Sequence, residues 1–153
     1  MYTAIVIQEW SRQALLRNVF DRLPYPPSNW VIKGHHITVN MGPLDRSAQH
    51  PHIALNEGCR GQVDGSVLDL REEGVIAVGI SALMQNYMEI GRSHLDSSEK
   101  VYDIPVTTIN DRPHITIAHR IDVKPRSVND YPDRWLQDKC SPYVVEGQLL
   151  ELS

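Results

Sequence analysis

Alternating apolar and polar residues dominate this chain and predict more strands than helices. Tyr2–Ile7 is an apolar, β-prone run, and both His36–Asn40 and Tyr143–Leu152 alternate along their whole length. Two further β-prone runs, residues 62–70 and 75–80, are separated by a short charged segment that ends in glycine. A hairpin is therefore predicted there, and residues 112–119 are predicted to form another strand.

One segment has the three- and four-residue apolar spacing of an amphipathic helix. It is predicted to begin with Ser11 as its N-cap and to end near Leu23, just before Pro24. Residues 129–139 are predicted to form a shorter helix and residues 104–109 a short strand. Residues 45–61 and 87–102 have no firm period and are predicted to be mostly loop. Together these elements predict an α+β fold with a mainly antiparallel sheet.

Composition places this pattern in a single domain spanning residues 1–153. Apolar residues make up 41% of the chain, which is ordinary for a protein that buries a core. The formal net charge of −4 argues against a protein that coats long duplex nucleic acid, because such proteins present a strongly basic face.

The longest apolar runs are far shorter than the roughly 20 residues that cross a bilayer, and no signal segment is recognisable, so a cytoplasmic location without membrane contact is expected. The two cysteines, Cys59 and Cys140, match no metal-ligand spacing and are expected to be ordinary thiols.

One short motif occurs twice, as HITV beginning at His36 and as HITI beginning at His114, 78 residues further on. Side chains alternate between the two faces of a strand, so each motif presents an imidazole and a threonine hydroxyl on one face and buries its aliphatic residues on the other. If the two strands lie side by side, His36, Thr38, His114 and Thr116 share one cleft.

That set of side chains suits the hydrolysis of a phosphodiester. One histidine can deprotonate the attacking water while the other protonates the departing oxygen, because the ordinary imidazole pKa of about 6.5 allows either role near neutral pH. The threonine hydroxyls can donate hydrogen bonds to the phosphoryl oxygens, where negative charge builds up. This chemistry needs neither a metal nor a cofactor.

The paired H-x-T-hydrophobic motifs resemble those of the 2H phosphoesterase superfamily. The resemblance implies a two-lobed α+β domain whose lobes each contribute one motif to a central cleft. It also implies a metal-independent phosphodiesterase acting on RNA 2′,3′-cyclic phosphate ends, on another 2′-linked nucleotide or, as in small viral members, on cyclic oligonucleotide signals of antiphage defence. By motif, only His36, Thr38, His114 and Thr116 carry over, and the chain is somewhat short for the family.

Residues beside the motifs are candidates for substrate binding. Arg112 precedes the second motif and is a candidate to bind phosphate, and Trp30 is a candidate to stack on a base. The expected partner is therefore a small nucleotide or an RNA end. His35 precedes the first motif on the opposite face and is expected to be structural, and His94 is a candidate to approach the substrate from a loop.

Two alternatives stay open. A zinc site could use His36 and His114 with His50, His52 or His119, although neither motif has a carboxylate or thiol at ligand spacing. The odd separation of His119 from His114 predicts that the two side chains lie on opposite faces of their strand. The second alternative is a noncatalytic module that binds nucleotides in the same cleft.

Overall fold

The computed structural model, which describes residues 1–91, 95 and 98–153, has an α+β fold built on one eight-stranded sheet. Every strand pairing in it is antiparallel. Within the described ranges, no helix has the length and apolarity needed to cross a membrane. The elements in chain order are β1 (Tyr2–Ile7), α1 (Glu9–Arg22), β2 (Trp30–Ile32), β3 (His36–Asn40), β4 (Gly58–Leu70), β5 (Val75–Ile90), β6 (Glu99–Pro105), β7 (His114–Arg120), a 3₁₀ helix (Pro125–Asp130) and β8 (Tyr143–Leu152).

The order of the strands requires the sheet to curl until its two edges meet. The order is β2-β7-β5-β4-β8-β1-β3, and β6 pairs with β5 outside this path. The edge strands β2 and β3 are consecutive in the chain and are joined only by residues 33–35. Three residues span roughly 10 Å at most, so the two edges of the sheet cannot lie far apart.

The main core lies on one face of this curled sheet. A β-carbon at Gly61 in β4 would meet Ile37 of β3 at 3.0 Å and Val145 of β8 at 3.2 Å. β3 and β4 are not neighbours in the sheet, so the contact between Gly61 and Ile37 crosses the core. α1 adds Leu15 and Val19 to the same cluster.

A smaller core lies on the opposite face. It joins Leu68 and Leu70 of β4, Val75 and Ala77 of β5, and Val128 of the 3₁₀ helix. Tyr131 and Trp135 pack against this cluster from the segment that follows the 3₁₀ helix. The segment between the 3₁₀ helix and β8 therefore covers part of the face on which β7 presents its polar residues.

Several sequence predictions are confirmed and others are wrong. β1, β3 and β8 have the predicted bounds, and the hairpin of β4 and β5 forms as predicted. Ser11 is not the N-cap of α1: it lies inside the helix, where its buried hydroxyl accepts a hydrogen bond from the Glu146 amide. Residues 129–139 do not form a helix, because the helical geometry is confined to the 3₁₀ turns ending at Asp130 and Pro132 follows.

Residues 87–102 were predicted to be mostly loop, but their described part belongs largely to strands. β5 continues to Ile90 and pairs with β6, so that Tyr87 lies opposite Tyr102 and Met88 opposite Val101. Cross-strand pairing of this kind joins residues distant in the sequence, which a search for local periodicity does not detect. The prediction for His94 falls outside the described residues.

Candidate active site

The two motifs occupy matching positions in their strands. The aliphatic residues Ile37 and Val39 of β3 and Ile115 and Ile117 of β7 are at most 1% exposed. The histidines and threonines of both motifs are half-buried and point away from the main core. The alternation predicted from the sequence is therefore present in both copies.

The backbone brings the two motifs together at Gly34. β2 pairs with β7, and the pairing continues past Ile32 as the amides of Lys33 and Gly34 donate to the carbonyl oxygens of Ile117 and Thr116, at 2.7 and 2.9 Å. Two residues later the chain leaves β7 and pairs with β1, with His36 opposite Val6.

Gly34 is suited to this change of partner. Its φ of +83° is one that residues with a side chain rarely adopt, and a β-carbon there would lie 3.3 Å from Leu16 of α1. The bond of Gly34 to Thr116 brings the start of β3 close to the start of β7, where His36 and His114 lie. In agreement, the charge of His114 is one of the causes that lower the pKa of His36.

His36 lies among positive charges. Its ring contacts the Tyr2 ring, with centroids 5.7 Å apart and planes tilted by 52°. Burial is the main cause that lowers the pKa of His36, and electrostatic interactions with His35, Lys33 and His114 lower it further. At neutral pH the His36 imidazole is therefore held in its neutral form, the form that accepts a proton.

His114 has a different environment. Its Nδ1 lies 3.0 Å from the carbonyl oxygen of Arg112, and because a carbonyl only accepts, Nδ1 carries the proton. Nε2 is then the atom that exchanges a proton with a substrate. Burial lowers the pKa of His114, and the bond to the Arg112 carbonyl opposes this by stabilising the charged ring.

A cavity of about 450 Å³ lies beside His114. The Trp135 ring centroid is 6.3 Å from that of His114, and the Arg112 guanidinium lies over the Trp135 ring at 5.1 Å. Asp111 adds a carboxylate to the same wall. The volume is within the usual range of small-molecule sites, and the wall offers a cation and an aromatic face beside the imidazole.

The two predicted binding residues differ in their placement. Arg112, the candidate to bind phosphate, lines this cavity. Trp30 does not: it lies opposite Arg120 at the far end of β7 and packs against the main core. Trp135 is the aromatic residue at the cavity, and its distance from both motifs in the sequence gave no reason to prefer it over the other aromatic residues.

Both threonines are available to a ligand. Thr38 lies opposite Ala4 and Thr116 opposite Ala77, so each hydroxyl stands beside a residue with a small side chain. Within the described part of the chain, neither hydroxyl has a hydrogen bond to another residue. Each can therefore donate to an oxygen that enters the cleft.

A bulge in β7 overturns the prediction for His119. Thr116 lies opposite Ala77 and Ala118 opposite Ile76, so Ile117 is the extra residue that breaks the alternation. His119, opposite Val75, is thereby on the same face as His114 and Thr116. Its Nδ1 hydrogen-bonds to the Arg120 carbonyl at 2.9 Å, and its buried Nε2 has no partner among the described residues.

Asp64 and Ser66 of β4 form a polar pair on the same face of the sheet as His114, and no pattern in the sequence predicted it. Gly79 of β5 is opposite His114, and a β-carbon there would clash with Ser66 Oγ and lie 3.0 Å from the Asp64 carboxylate. Ser66 is 1% exposed, and its hydroxyl donates to Asp64 Oδ1 at 2.6 Å. Gly79 leaves room for this pair two strands away from His114.

The ligands named for a zinc site are not gathered in the fold. His52 stacks on Tyr87, with ring centroids 4.1 Å apart, and His50 lies beside His52. In the residues that the structure describes, no three side chains of His, Cys, Asp or Glu form a group that could hold a metal ion. Cys59 and Cys140 are free and buried, and burial raises the pKa of both thiols.

Comparison of this chain with protein-family models, with curated proteins and with solved structures finds no match.

Proposed function

We propose that this protein is a metal-independent phosphodiesterase of the 2H type, which hydrolyses a cyclic phosphate or a 2′-linked nucleotide. The observation that carries the proposal is the Gly34–Thr116 backbone bond, because it brings β7 close to the start of β3, although the two H-x-T strands are not neighbours in the order of the sheet. A finer architecture, two lobes centred on β3 and β7 around a cleft, is part of the same proposal.

The surroundings of the two histidines favour different roles. His36, whose pKa is lowered chiefly by burial and further by His35, Lys33 and His114, is neutral at neutral pH and is therefore assigned as the base. His114, whose charged form is stabilised by the Arg112 carbonyl, is the better acid. This assignment uses the Nε2 atom of His114 as the proton donor.

The reaction then balances without another reagent. His36 takes a proton from water, and the water oxygen bonds to phosphorus. The bond from phosphorus to the ribose oxygen breaks, and that oxygen receives the proton from His114 Nε2. His36 ends protonated and His114 neutral, and exchange with solvent restores the starting state. Thr38 and Thr116 donate to the non-bridging oxygens, whose charge increases during the attack.

We assign the cavity beside His114 to the nucleotide that carries the leaving oxygen. Trp135 offers a face for a base, and Arg112 offers a cation for a phosphate. Both groups lie on the side of the histidine proposed as the acid. An RNA end with a 2′,3′-cyclic phosphate and a cyclic oligonucleotide both meet this description.

The test is a turnover assay with EDTA present. The substrates are adenosine 2′,3′-cyclic phosphate, a short RNA ending in a cyclic phosphate and a set of cyclic dinucleotides. We expect cleavage of at least one by the wild-type protein, and losses of about 10²- to 10⁴-fold in His36→Ala and His114→Ala. His50→Ala, at an exposed histidine outside both cavities, is the matched control. Near-normal rates in both catalytic variants contradict the mechanism, and a folded wild-type protein that binds but cleaves nothing supports a noncatalytic binding module.

A further inference from the structure

A second cavity adjoins the one beside His114. It has a volume of about 540 Å³ and lies along the 3₁₀ helix. Asn129 lines both cavities, so the two lie next to each other at that residue. The residues that line the second cavity are Lys124, Arg126, Ser127, Asn129 and Asp130.

The cations of this second cavity lack carboxylate partners, whereas their neighbours in the chain have them. Arg120 pairs with Asp122 at 2.6 Å, and Arg134 pairs with Glu72 at 3.5 Å. Lys124 and Arg126 lie between these two arginines, are exposed, and form no ion pair with any residue in the described ranges. They are left with their charge directed to solvent in a protein whose net charge is −4.

Two further features of the cavity bear on what it holds. Ser127 lines the cavity, and its Oγ is buried without a hydrogen-bond partner among the described residues, so a rotation of this side chain would give the wall a free donor. Asp130 contributes one negative charge, which leaves the lining with a net charge of one positive unit if both cations are counted. An anion that carries hydrogen-bond acceptors suits such a lining.

We propose that this second cavity, lined by Lys124, Arg126 and Ser127, binds a phosphate of the substrate other than the one that is cleaved. The inference rests on the proposed phosphodiesterase function and narrows its substrate class. The substrate is an oligonucleotide with at least one internucleotide phosphate, linear or cyclic, and a mononucleoside cyclic phosphate is a poor substrate. Asn129 marks the place where the two cavities adjoin.

The test compares two dinucleotides that differ only in the charge of one linkage. Both end in a 2′,3′-cyclic phosphate. One has a natural internucleotide phosphate and the other an uncharged methylphosphonate. We expect wild-type kcat/KM to favour the charged dinucleotide by roughly 10- to 100-fold, as for the loss of one or two charged hydrogen bonds. Lys124→Gln with Arg126→Gln should remove this preference. Asp130→Asn should increase the preference.

The control double variant is Arg17→Gln with Lys100→Gln, which removes the same charge from exposed positions outside both cavities. It should keep the full preference. A wild-type protein with no preference, or a Lys124/Arg126 variant that keeps it, overturns the second phosphate site while leaving the phosphodiesterase proposal intact.

Failure of the proposed function gives a different result, since the wild type then cleaves neither dinucleotide. The second site is tested in that case by calorimetric titration with a 5′-phosphorylated dinucleotide. Binding that weakens at least 10-fold in the Lys124/Arg126 variant but not in the control supports the site. Equal binding by both variants overturns it.

Discussion

β3 and β7 have the same motif but differ in what surrounds it. β3 pairs with β1 along its length and approaches β7 only at its start, whereas β7 is paired on both sides, by β5 and β2. His36 in β3 contacts Tyr2, and burial together with the nearby His35, Lys33 and His114 lowers its pKa. His114 in β7 has a carbonyl partner and a cavity with an aromatic wall. Two identical side chains on the same face of equivalent strands are thereby suited to different steps of one reaction.

The largest expected effect separates the acid from the base. With a nitrophenyl phosphodiester of a nucleotide, the leaving group departs without a proton and an acid is not needed. His114→Gln should then recover most of the about 10²- to 10⁴-fold loss seen with natural substrates, and His36→Gln should recover none. Steady-state rates of both variants on both substrates give the answer, and recovery by His36→Gln instead would reverse the assignment.

Replacing either threonine should lower the rate less than replacing either histidine. Removing one donor to a developing negative charge costs roughly 10²- to 10³-fold in rate, so Thr38→Ala and Thr116→Ala should each lose about that much kcat. Thr→Ser keeps the hydroxyl and should restore most of the rate at both positions. A Thr→Ser variant as slow as its Thr→Ala counterpart would show that the methyl group, and hence packing, was responsible.

Trp135 tests whether the β7 side of the site holds a base. Loss of a stacked base costs roughly 1–3 kcal/mol, so Trp135→Ala should raise KM by about 10-fold with a smaller effect on kcat. Trp135→Phe should retain most of the affinity. Thermal unfolding of both variants measures how much stability is lost with the packing of Trp135 on the smaller core. Trp10→Ala is the matched control, since Trp10 is 57% exposed on α1. Trp30→Ala should instead lower stability and leave KM unchanged, because Trp30 packs on the main core.

The pH dependence should reflect the lowered pKa of both histidines. The productive form has neutral His36 and protonated His114, and both pKa values lie below the ordinary 6.5. The profile of kcat/KM for the free enzyme should therefore peak below pH 6.5 and decline on the alkaline side as His114 loses its proton. An optimum well above pH 7 would be inconsistent with this arrangement.

The smallest effect concerns stability. Because the folded pKa of each histidine is depressed, the unfolded chain binds more protons as the pH falls below 6.5. The free energy of unfolding should thus be fully maintained above pH 6.5 and decrease below it. The double variant His36→Asn with His114→Asn should show a weaker decrease over that window in urea titrations, and an unchanged pH slope would argue against burial of these imidazoles.

Much of the fold was readable from the sequence because strand alternation is a local signal. β1, β3 and β8 were predicted with their observed bounds, and the faces of His36 and His114 followed from the period of two. Predictions from local patterns were wrong where a contact with another part of the chain determined the structure. Ser11 looked like a helix cap but accepts a hydrogen bond from the backbone amide of Glu146, 135 residues away. Residues 87–90 and 99–102, predicted as loop, lie in strands because β5 pairs with β6.

The candidate site likewise combines features that the sequence predicts with features that only the structure reveals. Alternation predicted the α+β class with its antiparallel sheet and the face of each motif residue, and the repeated motif supplied the four candidate residues, because each of these depends on residue type and on neighbours in the chain. Only the tertiary structure decided that β2 and β3 close the sheet at Gly34, that Ile117 bulges and turns His119 to the polar face, and that Trp135 rather than Trp30 stands by His114. These depend on which distant backbone groups bond to one another, and no period in the sequence records that choice.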